Sequence, residues 1–543
     1  MKKNSFWQWI DNTFLDIGRQ FRWSYLPPLM VYLAAGVAGL TSIVGIFFIK
    51  DYLNLSAAFL ASLGFWAGIP WTLKLPLGHL VDLIWRRKAL LVYLGATLIT
   101  ASLLIMYGLI AHTEVMTTIM RPEAWFVTSS ILAPTGYVVQ DVVADAMTVE
   151  AVPTLDENGK PFNEADIKIM HTTMQTLGRI AIIGGLVAVA LLNVTLFDGV
   201  ENMSEEKKLE IYADIYLLAL IIPVISISGV ILGNHLLKKR ALQLKTLGLD
   251  VSSINKLLYS NNEAVSANWW ILGGSFVFVI FTLAMGLNQV PFAQEIIFAG
   301  SMTIVLFLMH RLLLELDTQD RNMLIGTALI IFIFRATPGV GAGYGWFEID
   351  ELGFDQQFLS VLSLIASLLT IFGMLVLRPM MATRSIAFVI VILTIVGSIL
   401  LLPNLGLYYG LHHWTSAYTN GVVDAHFITL IDTAVESPLG QIAMIPMLAW
   451  IANNAPAHLK ATFFAVMASF TNLALSASSL GTKYLNEIYT VTREVRDQVN
   501  GAVLTVADYG ELGNLMIIVG IIGLLIPLLA VVWVQLSRFN TRQ

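Results

Sequence analysis

Apolar stretches of about 20 residues, separated by short polar or glycine-rich intervals, recur along the whole chain. A hydrocarbon core about 30 Å thick requires that much helix to cross it, so each stretch reads as a transmembrane helix. The predicted spans lie near 27–49, 56–78, 88–111, 123–149, 171–196, 211–237, 267–289, 294–314, 322–343, 358–378, 385–407, 421–453, 460–484 and 512–537, about fourteen in all. The first residues follow another pattern. Phe6, Ile10, Phe14, Ile17 and Phe21 recur at three- and four-residue steps, which predicts an amphipathic helix lying on a membrane face.

Composition narrows the class. The 543 residues are 57% hydrophobic and 13% charged, with mean hydropathy +0.74, whereas soluble domains carry about 25% charge. The chain has no cysteine, which removes disulfides, thiolate metal sites and cysteine nucleophiles. It has no phosphate-binding loop with its lysine, and no nucleophile–base pair or metal cluster at convincing spacing. The expectation is a polytopic all-α membrane protein that is not an enzyme, with no cofactor, no metal and no nucleic-acid partner. With the amino terminus placed inside, Lys and Arg favour the inner segments by about three to one, so both termini are expected in the cytoplasm. Short loops and the absence of a cleavable signal pattern suit a bacterial inner membrane, and a monomer is expected.

The polar intervals suggest five parts. Residues 1–26 form the amphipathic segment, 27–237 a first bundle of six helices, and 238–266 a basic linker containing KKRALQLK. Residues 267–321 then read as an inserted helix pair, and 322–543 as a second six-helix bundle. A weak repeat links the bundles. Asp141 and Asp145 lie four apart in the fourth span, and Asp432 and Glu436 lie four apart in the fourth span of the second bundle. Side chains at that spacing share one helix face, as a parallel repeat predicts.

Charges inside spans cost at least about 2.5–3.5 kcal/mol each, so they need partners or a wet cavity. The deep ones are Lys74, Arg179 and Arg335, against Asp141, Asp145, Asp432 and Glu436. One reading has Arg179, Arg335 and Lys74 holding an anionic substrate, with Trp71 and Trp346 as candidate aromatic walls, while one or more of the four acids takes up a proton. The other has Asp141–Arg179 and similar pairs as structural salt bridges. Helix breakers cluster at the same places: Pro70 and Pro76 around Lys74, and Pro338, Gly339, Gly341, Gly343 and Gly345 after Arg335. Backbone so broken should face protein or water rather than lipid.

Between the second and third spans lie Gly78, Asp82, Arg86, Arg87 and Lys88, in the order Gly-x3-Asp-x3-Arg-Arg-Lys. This resembles the gating loop of major-facilitator transporters and implies their fold, with the glycine permitting helix approach. Four blocks are more specific: KDYLNLS with IPWTLKLPLGHLVD, QDVVADAMTVE, FRATPGVGAGYGWFEIDELGFDQQFLSVL and APAHLKATFFAVMASFTNL. Together they resemble the folate–biopterin transporter family of that superfamily. The resemblance implies proton-driven movement of folate- or pterin-like anions, with Asp141, Arg179, Arg335 and Asp432 at polar family positions. Leu75 stands before Pro76 where the family pattern has proline directly after the lysine. Alternatives are a muropeptide- or nucleotide-type carrier, or a non-transporting assembly factor on a carrier fold.

Overall fold

A computed structural model of the chain describes residues 21–53, 55–72, 74–153, 155–156, 160–259, 290–314, 316–439, 460–496 and 503–540, with Arg19 and scattered positions between 269 and 285. The expected surface helix up to residue 18, most of the 267–289 span and the 421–453 span beyond 439 lie outside the described residues.

The N-terminal helices are α1 (Leu26–Val37), α2 (Ser42–Tyr52), α3 (Ala57–Thr72), α4 (Lys74–Leu83), α5 (Ala89–Ala111), α6 (Thr113–Ile119), α7 (Pro122–Ala151), α8 (Glu164–Leu196), α9 (Glu205–Leu218) and α10 (Ile221–Thr246). Then come α11 (Val251–Tyr259) and α12 (Ala293–Leu313). The C-terminal set comprises α13 (Thr318–Arg335), α14 (Ala342–Asp350), α15 (Gln356–Thr383), α16 (Ile386–Tyr408), α17 (Leu411–Tyr418), α18 (Ala425–Glu436), α19 (Lys460–Ile488) and α20 (Leu512–Leu536). Between α19 and α20 a small antiparallel ribbon pairs β1 (Val495–Arg496) with β2 (Val503–Thr505).

Seven helical stretches among the described residues are long and apolar enough to cross a bilayer by themselves. They are Trp23–Tyr52, Ala89–Ala111, Thr176–Asn202, Glu205–Thr246, Gln356–Gly373, Ile386–Tyr408 and Leu512–Leu536. Fourteen spans were expected. Several helices that fall short are broken or charged: α3 and α4 are divided near Lys74, α7 carries two aspartates, and α13 stops at Arg335. Polar residues in a span need protein around them, so these helices are where a site is to be sought.

Within the N-terminal set, close approach comes from glycines. Gly95 on α5 faces Gly136 on α7 so tightly that a Cβ on either would lie 2.6 Å from the other's carbonyl oxygen. Gly36 on α1 and Gly185 on α8 are in similar backbone contact. Helices interlocked this way gain dispersion contacts that lipid cannot replace. Gly78, by contrast, has nothing among the described residues within 4 Å of where a Cβ would stand.

The two sets meet along two seams, α3 against α19 and α8 against α15. The second long helix of each set therefore meets the fifth of the other, as two bundles related by a parallel repeat require.

Candidate functional site

Lys74 begins α4 beside the break in the second span, and it reaches two carboxylates on α7. Its Nζ lies 2.6 Å from Asp141 Oδ2 and 2.8 Å from Asp145 Oδ2. The Tyr32 hydroxyl on α1 donates to Asp145 Oδ1 at 2.6 Å. The four-residue spacing, predicted to put both acids on one face, is what lets a single ammonium bridge them. Arg179 on α8 is exposed, within electrostatic range of Asp141 and Tyr32, and makes no ion pair among the described residues. The partner of Asp141 is thus Lys74, and the alternative Asp141–Arg179 bridge is not formed. Lys74 itself is neutralised by carboxylates, which weakens it as a free anion holder. Glu150 at the end of α7 pairs with Lys88, whose ammonium also sits 4.1 Å from the Trp85 ring centroid.

The matching acids of the C-terminal set are arranged differently. Asp432 on α18 is buried, and its Oδ2 accepts from Asn404 Nδ2 on α16 at 3.0 Å. The Tyr344 hydroxyl on α14 donates to Asn404 Oδ1 at 3.0 Å. Asp432 Oδ1 is buried without a hydrogen-bond partner among the described residues. The groups acting on this network are further acids: Glu348 on α14 and Glu436 at the end of α18. Glu436 is exposed. Arg335, at the end of α13, makes no ion pair among the described residues, and its buried Nε lacks an acceptor. A cation left in that state is suited to an anionic ligand.

The break after Arg335 is held by α19. Gly339 N–H donates to Thr482 Oγ1 at 2.9 Å, Asn486 Nδ2 to the Val340 carbonyl at 3.1 Å, and Ser478 Oγ to the Thr337 carbonyl at 2.7 Å. Gly341 adopts φ 84°, and a Cβ there would meet Asn486 Nδ2 at 2.8 Å. The expectation that this backbone faces protein follows from those bonds.

At the end of the bundle away from the Arg86–Lys88 loop, the two sets are tied together. Lys50 on α2 pairs with Asp350 on α14 at 2.6 Å. Gln356 Nε2 donates to the Tyr212 hydroxyl at 2.7 Å, and Gln357 Nε2 to Asp198 at 3.1 Å. Arg493, next to the β-ribbon, is the centre of the closure. It donates to the carbonyls of Lys50, Leu55 and Ile49, each at 2.7 Å, and to that of Leu53. These are carbonyls at and just past the end of α2, which a cation satisfies well. Burial lowers the Arg493 pKa to about 10, which leaves it protonated at neutral pH. Its guanidinium lies 4.2 Å from the Trp346 ring centroid, a stacked cation–π contact. A cavity of about 310 Å³ beside it is lined by Phe59, Trp346 and Arg493 among others.

Trp346 therefore lies buried under Arg493 at the closed end. Trp71 is half-buried on the α3–α19 seam, its carbonyl accepting from Asn472 Nδ2 at 3.4 Å. Arg86 and Arg87 are exposed, and the side chain of Asp82 lies outside the described residues. Sequence reading passed over Glu348, Asn404, Tyr344 and Arg493. Glu348 and Tyr344 carried a signal, an i, i+4 polar pair inside a glycine-rich stretch; Arg493, in a long loop, carried none.

The sequence profile of the BT1 family matches residues 35–539. A folate-biopterin transporter of Synechocystis sp. is 30% identical over 156 residues, which is 29% of this chain and 30% of that protein. The match thus spans under a third of that relative. The fold is similar to that of a POT family transporter crystallised with a thioalcohol-conjugated peptide, with TM-score 0.60, 12% identity, and 95% and 96% of the two chains covered. A POT family transporter in complex with 5-aminolevulinic acid gives TM-score 0.60 at 13% identity over 94% and 95%. A mutant of the nucleoside transporter NupG gives 0.51 at 14% over 94% and 99%. These likenesses establish the major-facilitator fold, and the long apolar helices make the chain a multi-pass membrane protein. Its helices, its broken spans and the profile match over nearly the whole length have one reading: the chain belongs to the BT1 family.

Proposed function

We propose that the chain is a proton-coupled secondary carrier for an anionic, folate- or pterin-like small molecule. The observation that carries this reading is the uneven pairing of the deep charges. Lys74 is bridged by Asp141 and Asp145, whereas Arg179 and Arg335 make no ion pair among the described residues. Two unpaired arginines suit a ligand with more than one carboxylate, since guanidinium binds carboxylate in a fork geometry. The named relative supports the solute class.

Of the carboxylates proposed for coupling, Asp432 has the strongest support and Glu436 the next. Asp432 is buried, half-satisfied and surrounded by acids rather than bases. Asp141 and Asp145, held by Lys74, would serve register more than proton binding. Gly78, Asp82, Arg86 and Arg87 remain the proposed gate at the basic end, which the charge bias favours on the cytoplasmic side, with both termini. Reciprocal contact between α3, α19, α8 and α15 supports the division into two six-helix bundles with the linker at 238–266.

The test is uptake of labelled folate into proteoliposomes with and without an inward proton gradient. Saturable, gradient-dependent uptake that Arg335→Gln abolishes and Arg335→Lys partly restores is the expected result. Gradient-independent uptake would remove the coupling, and no uptake by monodisperse protein would remove the substrate.

A further inference from the structure

Helix α12 packs on the C-terminal set along most of its length and meets the N-terminal set only at its start. Its buried positions Gln294, Ile297, Ser301, Val305 and Met309 recur at three- and four-residue steps, so one face packs on protein while Ile296, Ile304 and Phe307 stay exposed. Val305, Met309 and Leu313 lie in the core of the C-terminal set, with Leu324 and Ala328 of α13 and Phe470 of α19. Glu295 fixes the first turn to the same set. Its Oε1 accepts from Lys483 Nζ on α19 at 3.3 Å and from the Tyr484 hydroxyl. These charge-assisted bonds, laid over apolar packing, hold α12 to α19.

The neighbouring residue reaches the other set. Gln294 Nε2 donates to the carbonyl of Ser62 on α3 at 3.3 Å and also contacts the Ser62 hydroxyl. One turn further on, Ile297 is fully buried with Phe65 and Ile69 of α3 and Leu480 of α19. Beyond Phe298, no apolar residue of α12 shares a core with the N-terminal set among the described residues. Both contacts with α3 lie toward the closed end, since α3 starts just after Leu55, whose carbonyl Arg493 binds, and α19 ends just before Arg493. The rest of that seam is not interlocked. A Cβ on Gly64 would lie 3.6 Å from Ser479 Oγ, and one on Gly68 3.5 Å from Ser476 Oγ, ordinary contact unlike the backbone approach of Gly36 and Gly185.

We propose that α12 is a strap anchored on the C-terminal set and clipped to the N-terminal set at Ser62, and that the clip parts each time the closed end opens. This rests on the carrier reading above, but not on its solute or its coupling ion. Two bundles that rock about a central site keep their internal contacts and break those between them at the end that opens. Helix α12 therefore travels with α19, and the contacts of Gln294 and Ile297 with α3 are the ones that separate. An amide-to-hydroxyl bond suits that task. Its net weight is small, and its loss strands no charge in the membrane, whereas parting Glu295 from Lys483 would strand two.

The absence of native cysteine allows thiol pairs to be placed at will. Ser62→Cys with Gln294→Cys spans the clip, and Glu295→Cys with Lys483→Cys spans the anchor. Each purified pair is joined in proteoliposomes by a short bis-methanethiosulfonate and freed by reductant, so a reversible loss is not a failure to fold. Folate uptake should fall at least about tenfold with the clip joined, and recover on reduction, because the closed end can no longer open. With the anchor joined, uptake should continue near its unjoined rate. A monofunctional methanethiosulfonate on the clip pair should not reproduce the block, since it caps the thiols without tying the helices.

Hydrogen exchange in nanodiscs without substrate reads the same step independently of uptake. With the clip joined, amides of residues 49–53 and 491–496 at the closed end should exchange at least about tenfold more slowly, and with the anchor joined they should be unchanged. Gln294→Met keeps the bulk and removes the donor, and should speed that exchange about fivefold, the weight of one neutral hydrogen bond. Uptake that survives the joined clip, or that stops equally with the anchor joined, overturns the strap. If the unjoined protein moves no folate, the solute is wrong and exchange alone decides. A slowing confined to the clip pair then keeps the strap, and an equal or absent slowing removes it.

Discussion

The acid pairs on α7 and α18 have the same spacing and stand at the same ordinal in their sets, yet they are in opposite electrical states. Asp141 and Asp145 are bridged by one lysine within 2.8 Å and capped by a tyrosine hydroxyl. Asp432 has one amide donor and an unsatisfied oxygen, with acids as its charged neighbours. The difference lies in what the second helix of each set supplies. Residue 74 is lysine at a helix break, whereas the corresponding α15 runs unbroken from Gln356 to Thr383. A repeated pair of carboxylates is therefore held in two ways: one bridged by an ammonium, the other with a single amide donor among the described residues.

The largest expected effect comes from breaking the bridged side. Lys74→Met leaves two carboxylates facing each other beside a protein interior, and should cost about 3 kcal/mol, the lower end for a broken buried pair because Asp145 is partly exposed. Thermal unfolding in detergent reads this, and Lys74→Met with Asp141→Asn should recover much of the loss. An unchanged melting temperature for the single variant would show that the bridge is not structural.

Next is a test of how rigidly the bridged set is built. Gly36→Ala places a methyl into backbone of α8 and should destabilise by about 1–3 kcal/mol. Gly78→Ala enters open space and should stay within about 0.5 kcal/mol. Equal melting temperatures would contradict these helix contacts, and inactive but stable Gly78→Ala would return that residue to a gating role in another state of the cycle.

The functional comparison is sharper though smaller in energy. Asp432→Asn should reduce gradient-driven accumulation at least about tenfold, or ~1.4 kcal/mol, while counterflow exchange persists. Asp141→Asn should reduce accumulation less, since Lys74 keeps Asp145 as partner. A reversal of that order would move the proton to the N-terminal set.

The smallest effect concerns the rim. Glu201 has its pKa raised, chiefly by its hydrogen bond to Asp355 and then by that residue's charge. A raised acid contributes fully below its ordinary value near pH 4.3 and loses the contribution as pH rises through the raised one. The closed end should thus gain slightly on acidification just above the ordinary carboxylate range, and Glu201→Gln should flatten that slope in the distance between spin labels on Lys207→Cys and Tyr418→Cys, both exposed.

How far the site was legible depended on the kind of residue. Lys74, Asp141, Asp145 and Asp432 stood out because a charge inside an apolar run is costly, so its presence is a signal in one dimension. Their partners did not stand out. Asn404 and Tyr344 are ordinary letters in apolar helices, and only the packing of α14, α16 and α18 makes them a hydrogen-bond chain. Gly78 is the converse case. A glycine in a familiar spacing reads as a contact, while Gly36, Gly95, Gly136 and Gly185, in no motif, make the contacts. Trp346 was expected to be a wall for substrate because it follows a glycine-rich break; its stacking under an arginine far along the chain, beside a cavity, had no sequence signal.

The chain alone determined that this is a many-helix membrane protein with charges buried in its spans, because hydrophobic length and the cost of buried charge act locally and leave their mark residue by residue. Which charge neutralises which, and which end of the bundle is shut, was decided only by tertiary structure. Arg493 lies more than 430 residues from the carbonyls it binds, and no local rule of spacing reports a contact made by folding two halves together.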